Sequence, residues 1–316
     1  MQLSNTASSV IARVTDVFIV PQPAPLPAGL ISWWRAEGNA LDSIGTNHGV
    51  LTNGVTFSSG QVGQTFAFDG ADDYVQVLDS LSLRPASITI EAWVKFFATN
   101  GIRIVLGKPL GTNTTFDSYG LALQDGAVIA AICDNSGFGP FLSSAPNITP
   151  GQWYHLAYTF DDPSRLQALY VNGAQVASGS AGRSMAYDNH AVLLGADLEN
   201  GVLSFFHNGQ IDEASIYNRA LTGDEIATIF NAGSAGKQLP GNIPPPLLLP
   251  PEIFGANLKL TWTAVSNAQY RVEFNPDLSP THWLALPGDV LSVSNTASKL
   301  DPLTSSNRLY RVRVLP

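Results

Sequence analysis

The sequence has a single cysteine, Cys133, in 316 residues. One cysteine excludes an intrachain disulfide and a cysteine-built zinc site. It sits in the apolar run Ala127–Cys133 and reads as a small core residue. Charge is scarce as well, at 13% of residues against 45% hydrophobic. The polar surface must therefore come from Ser, Thr, Asn, Gln and Gly, a composition common in extracellular β proteins with many turns. Positive charge is the scarcer sign, with 16 Lys plus Arg against 25 Asp plus Glu and a net charge of −9. No basic run occurs, which argues against a nucleic-acid partner. No apolar run approaches the ~20 residues a membrane helix needs, so no membrane insertion is expected. The N-terminus lacks a basic segment followed by a smooth apolar core, so no signal peptide is read there. Histidines 48, 155, 190, 207 and 282 are too scattered for a metal triad.

Two proline-rich stretches punctuate the chain: Pro21–Pro27 and Pro240–Pro251. Proline cannot donate to a β ladder, so both read as stiff spacers. The expected organisation is residues 1–28 as an N-terminal strand (Val10–Val20) and spacer, 29–236 as the main domain, 237–251 as a linker, and 252–316 as a small second domain. The main block carries short alternating segments separated by Gly, Asn and Asp. In Ile88–Phe96, residues Ile88, Ile90, Ala92 and Val94 fall on one face, and Thr89, Glu91, Trp93 and Lys95 on the other. Asn172-Gly173 between two such segments predicts a tight hairpin, because both central positions need φ > 0. One helix is predicted after Thr222, whose Thr-Gly-Asp-Glu run is a capping box with Glu225 at its third helical position. The tail repeats the β pattern, and Trp262, Tyr270 and Tyr310 are expected to share one small core.

Several short motifs occur in a familiar order. They include Trp33-Trp34, Glu37-Gly38-Asn39, Asp42–Gly49, Phe68-Asp69-Gly70 and Asp72-Asp73-Tyr74-Val75. The order continues with Ile90–Val94, Gly151–Ala157, Leu169–Gly173 and Ile211–Leu221. The set resembles the laminin-G-like, concanavalin-A-like (pentraxin-like) jelly-roll family. The tail resembles, more weakly, a fibronectin type III-like module, for which it is short. The resemblance implies an all-β chain: an antiparallel jelly-roll β-sandwich plus a second, smaller β-sandwich. It also implies a secreted or cell-surface module, expected here as a monomeric unit of a larger bacterial protein.

Family modules often hold a structural Ca²⁺ between the loop after the first strand and the last strand, and the resemblance carries this onto Asp42, Asn47 and Asp212. The competing reading makes Asp42 a turn residue and Asp212 a turn cap or a partner of Arg219. The acidic run Asp69–Asp73 reads first as a tight turn. Glycoside hydrolases need two carboxylates about 5–9 Å apart, which on one strand means acids two or four residues apart. The sequence is read as lacking such an array, so no catalytic residue is assigned and the chain is expected not to be an enzyme. Sugar rings stack on aromatics while their hydroxyls seek amides and carboxylates. Trp34, Tyr74, Phe116, Tyr119 and Phe138, in or near putative loops, are the candidate ligand contacts. The expected partner is a glycan or glycoprotein. The alternatives are a ligand-free structural or adhesive spacer and a polysaccharide-active hydrolase or lyase.

Overall fold

A computed structural model describes residues 23–145, 147–238, 246–265, 268–275, 283–302 and 308–315. The proposed strand Val10–Val20 and His282 lie outside these. The chain divides into two compact units, the first being Pro21–Pro240 and the second containing Gly241–Pro316.

The first unit is an antiparallel sandwich of two eight-stranded sheets. Sheet one runs, in spatial order, Ala174–Ser180, Leu166–Val171, Trp153–Asp161, Ile88–Phe96, Asn208–Tyr217, Gln64–Asp69 and Thr56–Ser59. Leu30–Trp34 pairs with Asn208–Tyr217 off this path. Sheet two runs Gly137–Phe138, Ala127–Asp134, Phe116–Gln124, Ile102–Leu110, Val192–Leu194, Tyr74–Val77 and Gly49–Thr52, with Leu142–Ser143 beside Ala127–Asp134. Alternation explains the core between them. Ile88, Ile90, Ala92 and Val94 face it from sheet one, and Val105, Tyr119, Leu121 and Leu123 from sheet two. The hairpin at Asn172-Gly173 forms with φ of 51° and 75°, the left-handed pair such a turn requires.

Sheet one is closed on its outer face too. Helix Gly223–Ala232 lays Ile226 and Ile229 against Tyr170, Tyr217 and Ala157. Its N-cap is the expected box: the Glu225 N–H donates to Thr222 Oγ1 (3.3 Å) and the Thr222 N–H to Glu225 Oε2 (2.9 Å). Trp93 stacks against Phe230 at 5.7 Å, so the outward face of Ile88–Phe96 is as dry as the inward one. Beneath this cover lies an ion cluster. Glu91 accepts from Lys237 Nζ (2.9 Å) and Tyr217 Oη (3.2 Å), and His155 Nε2 lies 3.1 Å away. Burial opposes its ionisation, but Lys237 and His155 override that and hold the carboxyl down at about 2.

The second unit carries two small antiparallel sheets. One holds Glu252–Phe254, Asn257–Thr263 and Thr296–Pro302; the other holds Leu284–Ala285, Gln269–Asn275, Val290–Leu291 and Leu309–Val314. Trp262 and Tyr270 are fully buried in its core and Tyr310 packs against it. Leu248, from the proline-rich stretch, joins the same core and bridges to Trp262.

Candidate functional site

With the middle of sheet one covered by the helix, a cleft opens on the outer face of sheet two, over Ile102–Leu110, Phe116–Gln124 and Ala127–Asp134. Its floor is made by residues with little or no side chain. Gly120 stands in register with Gly107 on one side and Ala131 on the other, and Ala122 follows on the same face. Absent side chains on three adjacent strands leave about 260 Å³ of space. The walls are apolar: Phe138 and Phe141 on one side, Ile102, Ile104 and Phe205 on the other. Phe138 and Phe141 lie 4.7 Å apart, and Phe116 meets Phe138 edge-on at 5.7 Å. Phe205 holds a left-handed backbone (φ 57°), a conformation costing about 1–3 kcal/mol that collects at functional sites.

Three carboxyls enter this cleft. Asp117 reaches it through a β-bulge: the register shifts between Lys108/Tyr119 and Pro109/Asp117. The extra residue turns Asp117 onto the face of Gly120, and a Cβ on Gly120 would sit 3.3 Å from Asp117 Oδ2. Asp197 and Glu199 come from the small ribbon Asp197–Glu199 / Val202–Ser204. Its turn, Asn200-Gly201, has φ of 52° and 80°, and the Asn200 N–H donates to Thr114 O (2.8 Å). Being two residues apart, Asp197 and Glu199 share a face. Asp197 interacts with both other carboxyls. Burial first, and then repulsion by Asp197 and Glu199, pushes Asp117 well above the usual carboxylate range. Asp197 is raised by burial, against hydrogen bonds with Asp117, the Leu198 N–H and Glu199 that pull it down. Glu199, raised by burial and by Asp197, reaches about 7. Asp117 Oδ1 is buried and accepts no N–H or O–H bond. The reading that the sequence holds no paired acids is thus corrected, since Asp197-Leu198-Glu199 is such a pair and Asp117 joins it from a distant strand.

Among the expected ligand contacts, Phe138 lines this cleft and Phe116 packs edge-on behind it without lining the space. Trp34 and Tyr119 are corrected: both are fully buried and offer no face to a ligand. Trp34 donates Nε1–H to Asn47 O (2.8 Å), and Tyr119 Oη donates to Leu83 O (3.1 Å). Tyr74, on Tyr74–Val77, stands two strands from Ile102–Leu110 and does not line the cleft. Phe141, one of the loop aromatics of the sequence, lines the cleft as well, whereas Asp117, Asp197 and Glu199 were not singled out from sequence.

The residues expected to hold calcium divide into two groups. Asp42 Oδ1 accepts the N–H groups of Trp33 and Ile44 (3.0 Å each) and Oδ2 that of Asn47 (3.2 Å). Asn47 Oδ1 accepts from Ser80 Oγ (2.7 Å), and Ser82 Oγ lies 3.3 Å away. A Ca²⁺ ion wants six to eight oxygens, and these two side chains spend theirs on their own loop, so they do not fit one. Asp212 faces a different loop: its Oδ2 accepts the Val62 N–H (2.9 Å), while its buried Oδ1 has no partner. Burial raises it to about 8. The acidic run is a turn: Asp69 Oδ1 accepts the Ala71 N–H (2.7 Å) and Asp73 Oδ2 the Asp69 N–H (3.0 Å).

Residues 69–227, half of the chain, match the family model described as the concanavalin A-like lectin/glucanases superfamily. The chain belongs to this superfamily. Mouse (Mus musculus) pappalysin-1 is 33% identical over 134 residues, which span 40% of this chain and only 7% of that protein. Among solved structures, the superfamily fold is similar to domain 4 of AbnA, an extracellular arabinanase from Geobacillus stearothermophilus solved with arabinotriose. That match has 21% identity, covers 65% of this chain and 98% of that one, and has a TM-score of 0.51. The binding domain of botulinum neurotoxin serotype D aligns with 11% identity over 89% of this chain and 73% of its own, with a TM-score of 0.50. At these identities the likeness is one of fold. Among the described residues, no helix is long and apolar enough to cross a membrane.

Proposed function

We propose that the jelly roll is a non-catalytic glycan-binding module of a larger secreted or cell-surface protein, and that the cleft on sheet two is its binding site. The observation that carries this reading is the convergence of stacked, accessible phenylalanines with hydrogen-bonding carboxyls over a side-chain-free floor. Phe138 and Phe141 offer flat apolar faces for sugar rings, and the acids offer acceptors for hydroxyls. The second unit is proposed as a small fibronectin type III-like spacer.

Affinity electrophoresis on a panel of soluble polysaccharides, followed by calorimetry with oligosaccharides including arabinotriose, tests the reading. Phe141 is 52% exposed, so its removal costs the fold little. Phe141→Ala should weaken the best ligand by about tenfold, or ~1.4 kcal/mol. Migration unaffected by every polysaccharide would leave the chain a spacer. Release of reducing ends would make it a hydrolase.

A structural calcium is also proposed, at Asp212 rather than the Asp42 loop: its orphaned Oδ1 would supply one of the six to eight oxygens, the rest being left to backbone carbonyls and water. A chelator should then lower the melting temperature of the wild type and leave Asp212→Asn unmoved. Identical melts of the wild type with calcium and with chelator would remove the site.

A further inference from the structure

The cleft has a one-sided charge. Its lining contains three carboxyls, one amide (Gln124) and no Lys, Arg or His. Elsewhere in this unit Glu91 is matched by Lys237 at 2.9 Å and the half-buried Asp79 by Lys108 at 2.7 Å, whereas Asp42, Asp73 and Asp212 are buried singly rather than as a cluster facing a cleft. Among the described residues, Asp117, 7% exposed, and Asp197, 3% exposed, have no such partner. The charged and titratable neighbours do not supply one. The Cys133 thiol, behind Asp117, is pushed up to about 12 by burial. Arg183 is committed to Asp134 (2.9 Å) and to the Gly137 carbonyl (2.7 Å). Two buried acids beside a half-buried third, without a cation, are held in place by keeping protons, and that leaves an unspent attraction for a positive ligand.

Phe138, Phe141 and Phe205 stand around the same space. An ammonium held over aromatic faces gains about 0.5–2 kcal/mol beyond its ion pairs. Hydroxyls alone would not relieve the crowding of carboxyls, whereas one ammonium group would let at least one of them ionise. We propose that the cleft selects amine-bearing glycans, meaning hexosamine oligomers with free amino groups, seating the sugar ring on Phe138 and Phe141 and the ammonium among Asp117, Asp197 and Glu199. This rests on the cleft being the glycan site and names the class of sugar it takes. The net charge of −9 would also draw such a polycation toward the protein.

Calorimetry on the full chain at pH 6 tests this, with fully deacetylated and fully N-acetylated glucosamine hexamers as paired probes. The deacetylated hexamer should bind at least about tenfold more tightly. Its binding should release protons, seen as a heat that changes between buffers of different ionisation enthalpy. Asp197→Asn and Glu199→Gln should each abolish that preference and the proton release. Phe141→Ala should weaken both probes alike. Equal binding of the two hexamers, carried by Phe141, would overturn the amine preference and leave the glycan cleft standing. Failure of every sugar on the panel would overturn both. Ca²⁺ alone raising the melting temperature, with Asp197→Asn removing the rise, would make the acids a metal site and overturn the proposal.

Discussion

Lys237→Met should destabilise the first unit by about 3–5 kcal/mol, the cost of leaving a buried charge without its partner. The Lys237 side chain is almost wholly buried. Its Nζ lies 2.9 Å from Glu91 Oε1, 3.1 Å from Glu213 O and 3.6 Å from Glu213 Oε2. It also stands 5.1 Å over the Trp33 ring. Removing it leaves two acids in the dry layer under the helix, with His155 at 3.1 Å from Glu91 and Arg35 at 3.7 Å from Glu213 as their remaining partners. For a unit of this size each kcal/mol moves the midpoint by about 2–4 °C, so the melting temperature should fall by roughly 6–20 °C. The sign with pH follows from Glu91. Its folded value, about 2, lies below the ordinary 4.5, so its contribution is complete above that ordinary value and disappears as pH falls toward 2. The gap between wild type and variant should therefore be largest near neutrality and narrow in acid. The double variant Glu91→Leu/Lys237→Met should recover much of the loss, since an apolar pair can replace a buried ion pair. A single variant melting within a degree or two of wild type would show that Lys237 holds nothing. Because the Ala24 N–H donates to Gly236 O and the Gln238 N–H to Ala24 O, the same residue stands where the two ends of the unit meet.

That cluster marks how far the sequence could be read. Strands with clean alternation, such as Ile88–Phe96 and Tyr74–Val77, emerge with the expected limits, as do the Thr222 cap and the Asn172-Gly173 turn. Local chemistry decides each of these. Alternation alone, however, cannot say what covers an outward face. Glu91 and Trp93 alternate away from the core and are still buried, because a helix more than a hundred residues later in the chain lies over them. Trp34 and Tyr119 look like available aromatics for the same reason, although both face the core. Asp117 was hidden by a bulge that reverses the parity of its strand. Asp197 and Glu199 had a visible signal: Asn200-Gly201 is the same turn dipeptide as Asn172-Gly173. Its flanking strands are only three residues long, too short for a period to register. In the second unit Thr296–Pro302 forms a full strand although it contains Lys, Asp and Pro, because pairing with Asn257–Thr263 overrides weak local preference.

Gly120→Leu should abolish glycan binding while leaving the fold intact. The position has no left-handed backbone to protect, and a Cβ there would lie 3.3 Å from Asp117 Oδ2, a tight contact that a shift of the carboxyl by a few tenths of an ångström relieves. Glycine weakens a strand interior through entropy and lack of packing, so a leucine costs the Phe116–Gln124 strand little and could stiffen it. What it removes is space. Its side chain would rise from the middle of the floor, between Phe138 and Phe141 on one wall and the acids on the other, and fill the volume a sugar ring must occupy. The expected loss is more than about a hundredfold in affinity, roughly 3 kcal/mol, with the melting temperature close to wild type. Gly107→Ala is the matched control: its Cβ would lie 3.8 Å from Asp117 Oδ1, an ordinary contact, and should weaken binding only slightly. Unlike Phe141→Ala, this pair takes away no aromatic surface and no charge. It therefore separates occupancy of the cleft from any general effect on the sheet. Full retention of binding by Gly120→Leu would place the sugar somewhere other than over this floor. The paired glycines would then owe their presence to the approach of the Asp117 carboxyl alone.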